Sequence, residues 1–188
     1  MASDAAPSKF ESAVLEHLDA AQNLARWLTR NDQDAQDVVQ ESCMKALRGF
    51  DTFRGGDFRA WFLTIVRNTS FTCMRRRKGS QGLAADQSLE VGAEVAADSQ
   101  VYDPHEIAVR AANVGLVRRA IDALPDTSRE VIVLREMQGL SYKEIGKIID
   151  VPIGTVMSRL ARGRTQLQSL LVRMDASEAR EPTQEGIQ

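Results

Sequence analysis

The side chains best placed to do chemistry lie near the C-terminal end, where Arg159, Arg162 and Arg164 alternate with the small residues Ser158, Ala161 and Thr165. On a helix, at about 100° per residue, Val156, Leu160, Gly163, Leu167 and Leu171 share one side. Ser158, Ala161, Arg162 and Thr165 then face outward, with Arg159 and Arg164 at their flanks. Small outward residues let a helix approach base edges closely. Arg162, at the centre of that face, suits paired hydrogen bonds to a guanine. Arg159 and Arg164 suit phosphate oxygens. The competing reading is an amphipathic, solvated helix that binds nothing, because such a pattern by itself has a real false-positive rate.

Two further constellations carry charge in an ordered way. Asp37, Gln40 and Glu41 recur at three- and four-residue steps, which makes one stripe of acceptors on a helix. Such a stripe suits Arg or Lys on a partner helix. Arg75, Arg76, Arg77 and Lys78 form a basic run suited to phosphate attraction. The net charge of the 188-residue chain is only −2, but its distribution is uneven. Residues 57–78 carry six basic side chains against Asp57, and residues 79–106 carry six acids with no Lys or Arg. Residues 135–173 carry seven basic groups against three acids. Two basic blocks around an acidic one fit two contacts on a polyanion.

The pattern of the remaining residues argues against catalysis and export. There is no convincing Ser/Arg, Tyr/Arg or clustered-carboxylate centre. Cys43 and Cys73 are far apart and have no metal-ligand spacing, so two free thiols in a reducing cytoplasm are expected, with no metal or cofactor. Residues 1–9 lack an export signal, and no apolar run is long enough to cross a bilayer.

The elements that must position these side chains are helical throughout. Aromatics at 5% and sparse Gly and Pro favour an all-α fold. Val14, Leu15 and Leu18, then Leu24, Ala25 and Leu28, predict a first helix. Ala35, Val38, Val39, Ser42, Ala46 and Leu47 predict the buried side of a second, after a break at Asn31-Asp32. The paired glycines of FDTFRGGD (50–57) predict a loop. A third helix is expected from Phe58 to about Arg77, with Trp61, Phe62, Ile65 and Val66 inside. Residues 79–104 are acidic, small and weakly periodic, and read as a flexible linker. Helical pattern returns near His105, where Val114, Leu116, Val117, Ile121 and Leu124 supply an apolar stripe ending at Pro125. Three helices then follow closely. The first runs from Thr127 or Ser128 to Gln138 and closes at Gly139; the others span Ser141–Ile149 and Ile153 to about Met174. Ser141-x-x-Glu144 is a capping-box pattern. With the short turn IDVPIG (149–154), these last two form a helix-turn-helix whose second member enters the major groove.

The segment IDALPDTSREVIVLREMQGLSYKEIGKIIDVPIGTVMSRLARGRTQL resembles the C-terminal DNA-binding domain of extracytoplasmic-function (ECF) sigma factors. The shared features are LP, a following Arg129, LRE, G-x-SY-x-EI and GTVMSRLARGR-x-x-L. Gly146 and Gly163 stand where alanine is common in that family, and Asp150 where glycine is common; looser local packing is the expected consequence. DAQDVVQESCMKAL (34–47) resembles the sigma helix that docks on the coiled-coil clamp of the polymerase β′ subunit. FRGGDFRAWFLTIVRNTSFTCMRRRK (53–78) resembles the family's −10 region.

The resemblance implies two small helical domains. Region 2 would occupy 10–78 and region 4 would occupy 110–174, with a linker at 79–109, a disordered start at 1–9 and a polar tail at 175–188. It implies polymerase contacts at Asp37, Gln40 and Glu41. It implies −10 contacts at Arg54, Asn68, Arg75, Arg76, Arg77 and Lys78, with a flipped base held in the loop Asp51–Asp57. The −35 element would be read by Thr155, Ser158, Arg159, Ala161, Arg162 and Arg164. Core RNA polymerase, promoter DNA and an anti-sigma factor are the implied partners, in the cytoplasm and without membrane insertion. A repressor or response-regulator output domain would leave the acidic stripe and the −10-like helix without a role. A recombinase would need the catalytic centre that is missing.

Overall fold

The computed structural model describes residues 9–80 and 104–178. The expected linker lies mostly outside them, as do most of the two terminal segments. Helix α1 spans Lys9–Thr29, α2 Asp32–Gly49, α3 Phe58–Ser80 and α4 Pro104–Asp122. Helix α5 spans Asp126–Ile132 and runs on as a π-helical turn, Val133–Met137. Helices α6 (Tyr142–Ile149) and α7 (Ile153–Glu178) complete the order, with no strand among the described residues. Helix α7 therefore carries Asp175 to Glu178, where a polar tail was expected.

The first three helices pack on one another. Their core is built from Leu24, Ala25, Leu28, Ala35, Val38, Phe62, Leu63 and Val66, each at most a few per cent exposed. Burying a side chain of the Leu, Val or Phe size contributes roughly 1.5–3 kcal/mol, so this face is what holds the helices together. Two expected core residues point outward instead: Leu15 is 64% exposed and Leu47 is 52% exposed. Each sits one step beyond the stripe that its neighbours occupy. Val114 and Val117 likewise stay exposed, while Ile121 and Leu124 are buried.

Local chemistry sets the corners. Arg30 ends α1 in the left-handed conformation (φ 56°), and the Asn31 side chain accepts the Asp34 N–H at 2.8 Å to start α2. Gly55 (φ 86°) and Gly56 (φ 107°) take backbone angles that few L side chains adopt, so the loop turns just before α3. The Asp57 carboxylate then accepts the Ala60 N–H at 3.0 Å and opens α3.

In the second block α4, α5 and α6 all pack against α7. Arg129 is completely buried, and its guanidinium explains the Arg that follows the LP pair. It donates to the carbonyls of Ile121 (3.1 Å), Asp122 (3.0 Å) and Leu124 at the end of α4, and to the Asp126 carboxylate at 3.1 Å. A cation thus sits at the negative end of a helix, with its donors satisfied.

The expectation of loose packing at Gly146 and Gly163 is not met. Both are buried, and a Cβ at Gly146 would meet the Val151 carbonyl oxygen at 3.0 Å. At Gly163 it would meet Ile132 Cγ1 at 3.1 Å. These glycines permit close approach. Asp150 occupies the left-handed position of the turn (φ 54°), a place where Asp costs less than most residues.

Candidate nucleic-acid and polymerase interfaces

The helix-turn-helix is built as its residues dictate. Ser141 and Glu144 complete the capping box: the Ser141 N–H donates to the Glu144 carboxylate at 2.6 Å, and the Glu144 N–H to the Ser141 hydroxyl at 3.3 Å. The Ser141 hydroxyl and amide hold the Glu144 carboxyl below its ordinary value. Val156 and Leu160 lock α7 to the core, and Leu167 and Leu171 are half-buried along the same side. Ser158, Ala161, Arg162 and Thr165 are exposed, and Thr155 and Arg159 half-buried. The hydroxyl of Ser158 donates to the Thr155 carbonyl at 3.0 Å. Arg164 is tied down: its guanidinium donates to the Glu136 carboxylate at 2.8 and 3.3 Å, which also holds its charge more firmly. It must release Glu136 to reach a phosphate.

On α2, Asp37 and Gln40 are exposed beside Glu41, and with Met44, Lys45 and Arg48 they line a shallow groove of about 470 Å³. Lys45 Nζ lies 2.8 Å from the Glu41 carboxylate and lowers its proton affinity. Met44 and Leu47 are exposed at the same end of the helix, adding an apolar patch to the polar stripe.

The third surface joins the loop to α3. Phe53 packs on Phe58 and Trp61 at centroid distances of 5.6 and 5.0 Å, so Trp61 belongs to an aromatic cluster under the loop. Arg54 is exposed at the loop tip. Asn68 is exposed, and its side-chain oxygen accepts from Arg67 at 3.0 Å. Arg75 and Arg76 are exposed, whereas Arg77 pairs with Asp34 at 2.8 Å. The Lys78 side chain lies outside the described atoms.

Family models match both blocks: Sigma-70 region 2 at residues 13–80 and Sigma-70, region 4 at residues 115–167. The ECF RNA polymerase sigma-E factor of Haemophilus influenzae is 35% identical over 152 residues, covering 78% of each chain. The chain belongs to the ECF sigma factors. SigE of Mycolicibacterium smegmatis, also an ECF RNA polymerase sigma factor, is 33% identical over 93% of this chain, which spans 66% of that relative's length. Among solved structures, RpoE of Bartonella quintana, crystallised with the anti-sigma factor NepR, superposes with a TM-score of 0.69. It is 30% identical, and the match covers 86% of this chain and 96% of that one. CnrH, solved with the cytosolic domain of CnrY, is 25% identical with a TM-score of 0.62, over 87% and 88% of the two chains.

A fourth group of residues in this sigma factor carried no sequence signal. Arg67 pairs with Glu130 at 2.5 Å, and Arg59 donates to the Gln138 carbonyl at 2.7 Å and to its side-chain oxygen at 3.3 Å. Arg30 reaches Asp126 at 3.5 Å. Each contact joins region 2 to region 4, and the partners stand 63, 79 and 96 positions apart. No periodicity within either block can announce such a pair.

Proposed function

We propose that this sigma factor binds core RNA polymerase through the Asp37, Gln40 and Glu41 stripe and directs it to a bipartite promoter. The two functional units are taken as residues 10–78 and 110–174. Asn68, with Arg54 and the basic run Arg75–Lys78, engages the −10 element. Opening that duplex costs a few kcal/mol for each flipped base. Contacts to the freed strand through Asn68 and the arginines offset that cost. Thr155, Ser158, Arg159, Ala161, Arg162 and Arg164 engage the −35 element, with Arg162 reading a base. The observation that carries the reading is the acceptor stripe on α2, with Asp37 and Gln40 exposed beside half-buried Glu41, in a chain that also bears a helix-turn-helix. A free-standing repressor has no use for the stripe.

Bond-forming chemistry belongs to the core enzyme, and this chain supplies specificity without a catalytic site of its own. It works in the cytoplasm; no described helix is long and apolar enough to cross a membrane. An anti-sigma factor controls it in a stress or envelope response, a reading supported by the complexes of RpoE with NepR and of CnrH with CnrY. The test is run-off transcription with core polymerase on a promoter library. Specific transcripts that appear only when the chain is added are expected. Sequence-specific DNA binding without association with core polymerase would favour a repressor.

A further inference from the structure

Helix α7 shows water an apolar line beside the polar groups assigned to the −35 element. Ile153, Met157 and Ala161 follow one another at four-residue steps, so they run along one side of its first turns. Met157 is 54% exposed and Ile153 47%, whereas their neighbours Val156 and Leu160 are at most 1% exposed. Ala161 is exposed as well. Leaving large apolar side chains in water forfeits the free energy that covering them would release. Neither Met157 nor Ile153 has a part in the contacts already assigned.

The surroundings identify what would cover the line. Lys143 and Lys147 are exposed one turn apart on α6. With Val151, Pro152 and Ile153 they line a hollow of about 430 Å³ at the turn of the helix-turn-helix, where Asp150 is the one acid among the described lining residues. Arg162 and, beyond it, Arg159 stand on the opposite border. Cations on both sides suit a polyanion that carries apolar groups on its edge. The helix also leaves room for one. A Cβ at Gly154 would meet nothing within 4 Å, and with Ser158 and Ala161 small as well, Met157 stands out from the surface.

In the major groove thymine alone of the four bases presents a methyl group, on C5. Hydrogen-bonding side chains such as Arg162 and Ser158 cannot sense it, because uracil offers them the same O4 acceptor. A methionine can, since its unbranched, polarisable thioether adapts to a small apolar group. We infer that Met157, backed by Ile153, reads a thymine of the −35 element through its C5 methyl group. The inference deepens the −35 reading proposed for α7 and rests on it.

Deoxyuridine substitution tests it. Holoenzyme made from core polymerase and the full chain is bound to a promoter taken from the run-off library. Each thymine of the −35 element is replaced in turn by deoxyuridine, which removes one methyl group and keeps the hydrogen-bonding edge. One replacement is expected to weaken wild-type binding roughly fourfold, the loss of one buried methyl group. Met157→Ala should bind the two forms alike at that position. Met157→Leu, which keeps an apolar end, and Arg162→Ala should both retain the difference. Met157→Ala should also compete for core polymerase as wild type does, and circular dichroism checks that it is folded. Indifference of the wild type to deoxyuridine throughout the element would overturn the inference, as would a difference that survives in Met157→Ala. Weakened competition for core polymerase would overturn it too, by assigning the apolar line to a protein contact. If holoenzyme ignores every base-pair exchange in the element, the −35 assignment of α7 has itself failed, and the inference fails with it.

Discussion

At the scale of single residues, position on a helix face matters more than charge. Arg159, Arg162 and Arg164 are alike in sequence, yet Arg164 is paired with Glu136 while Arg162 is exposed among small neighbours. A bidentate contact to a base discriminates by about 1–3 kcal/mol. Arg162→Ala is therefore expected to reduce −35 selectivity by about tenfold or more while leaving polymerase binding unchanged, measured by holoenzyme binding to matched and mismatched promoters. An equal loss on every DNA would mark Arg162 as a phosphate contact instead. Glu41→Lys reverses charge on the α2 stripe and removes the partner of Lys45. It is expected to weaken competition for core polymerase at least tenfold, and unimpaired competition would remove the stripe from the interface.

The elements themselves were largely legible, because helix periodicity and capping are local. Ser141-x-x-Glu144 named its own cap, and the cap is present. Replacing Ser141 by Ala should cost about 1 kcal/mol in thermal unfolding of the full chain. The sign of its pH dependence follows from Glu144, whose folded carboxyl titrates below its ordinary value of 4.5. The carboxylate's contribution is complete above that value and fades as pH falls through the lower folded one. The difference in melting temperature between wild type and Ser141→Ala should therefore shrink in acid; a difference that grew would contradict the cap. Gly146 makes the opposite point, because its surroundings are not local. Alanine would gain about 1 kcal/mol of helix propensity. Its Cβ, however, would press on the Val151 carbonyl oxygen at 3.0 Å, a backbone atom of the turn that cannot swing aside. Overpacking of this kind costs about 1–3 kcal/mol. Gly146→Ala is expected to lower the melting temperature, and a rise would show that the turn yields.

For the whole molecule, the chain between the regions sets what promoter it can span. Residues 81–103, even fully extended, bridge roughly 80 Å. Deleting residues 84–98 leaves a tether of roughly 30 Å. That deletion should leave competition for core polymerase intact and lower transcription from a two-element promoter at least tenfold. Undiminished transcripts would mean that the two regions need not part.

Composition, periodicity and short motifs determined by themselves that this chain is all-α, that its C-terminal helices form a helix-turn-helix and that α2 carries a stripe of acceptors; the polymerase-docking role of that stripe is what the family resemblance implies. Those features depend on residues within one or two helical turns of each other. The tertiary structure decided what depends on distant neighbours. It turned Leu15 and Leu47 outward, packed Gly146 and Gly163 tightly rather than loosely, and engaged Arg164 and Arg77 with acids. It also joined Arg67 to Glu130 and Arg59 to Gln138 across the two regions. Chain folding brings such residues together through the burial of two separate apolar faces, and neither face carries a record of which polar groups will meet at their edge.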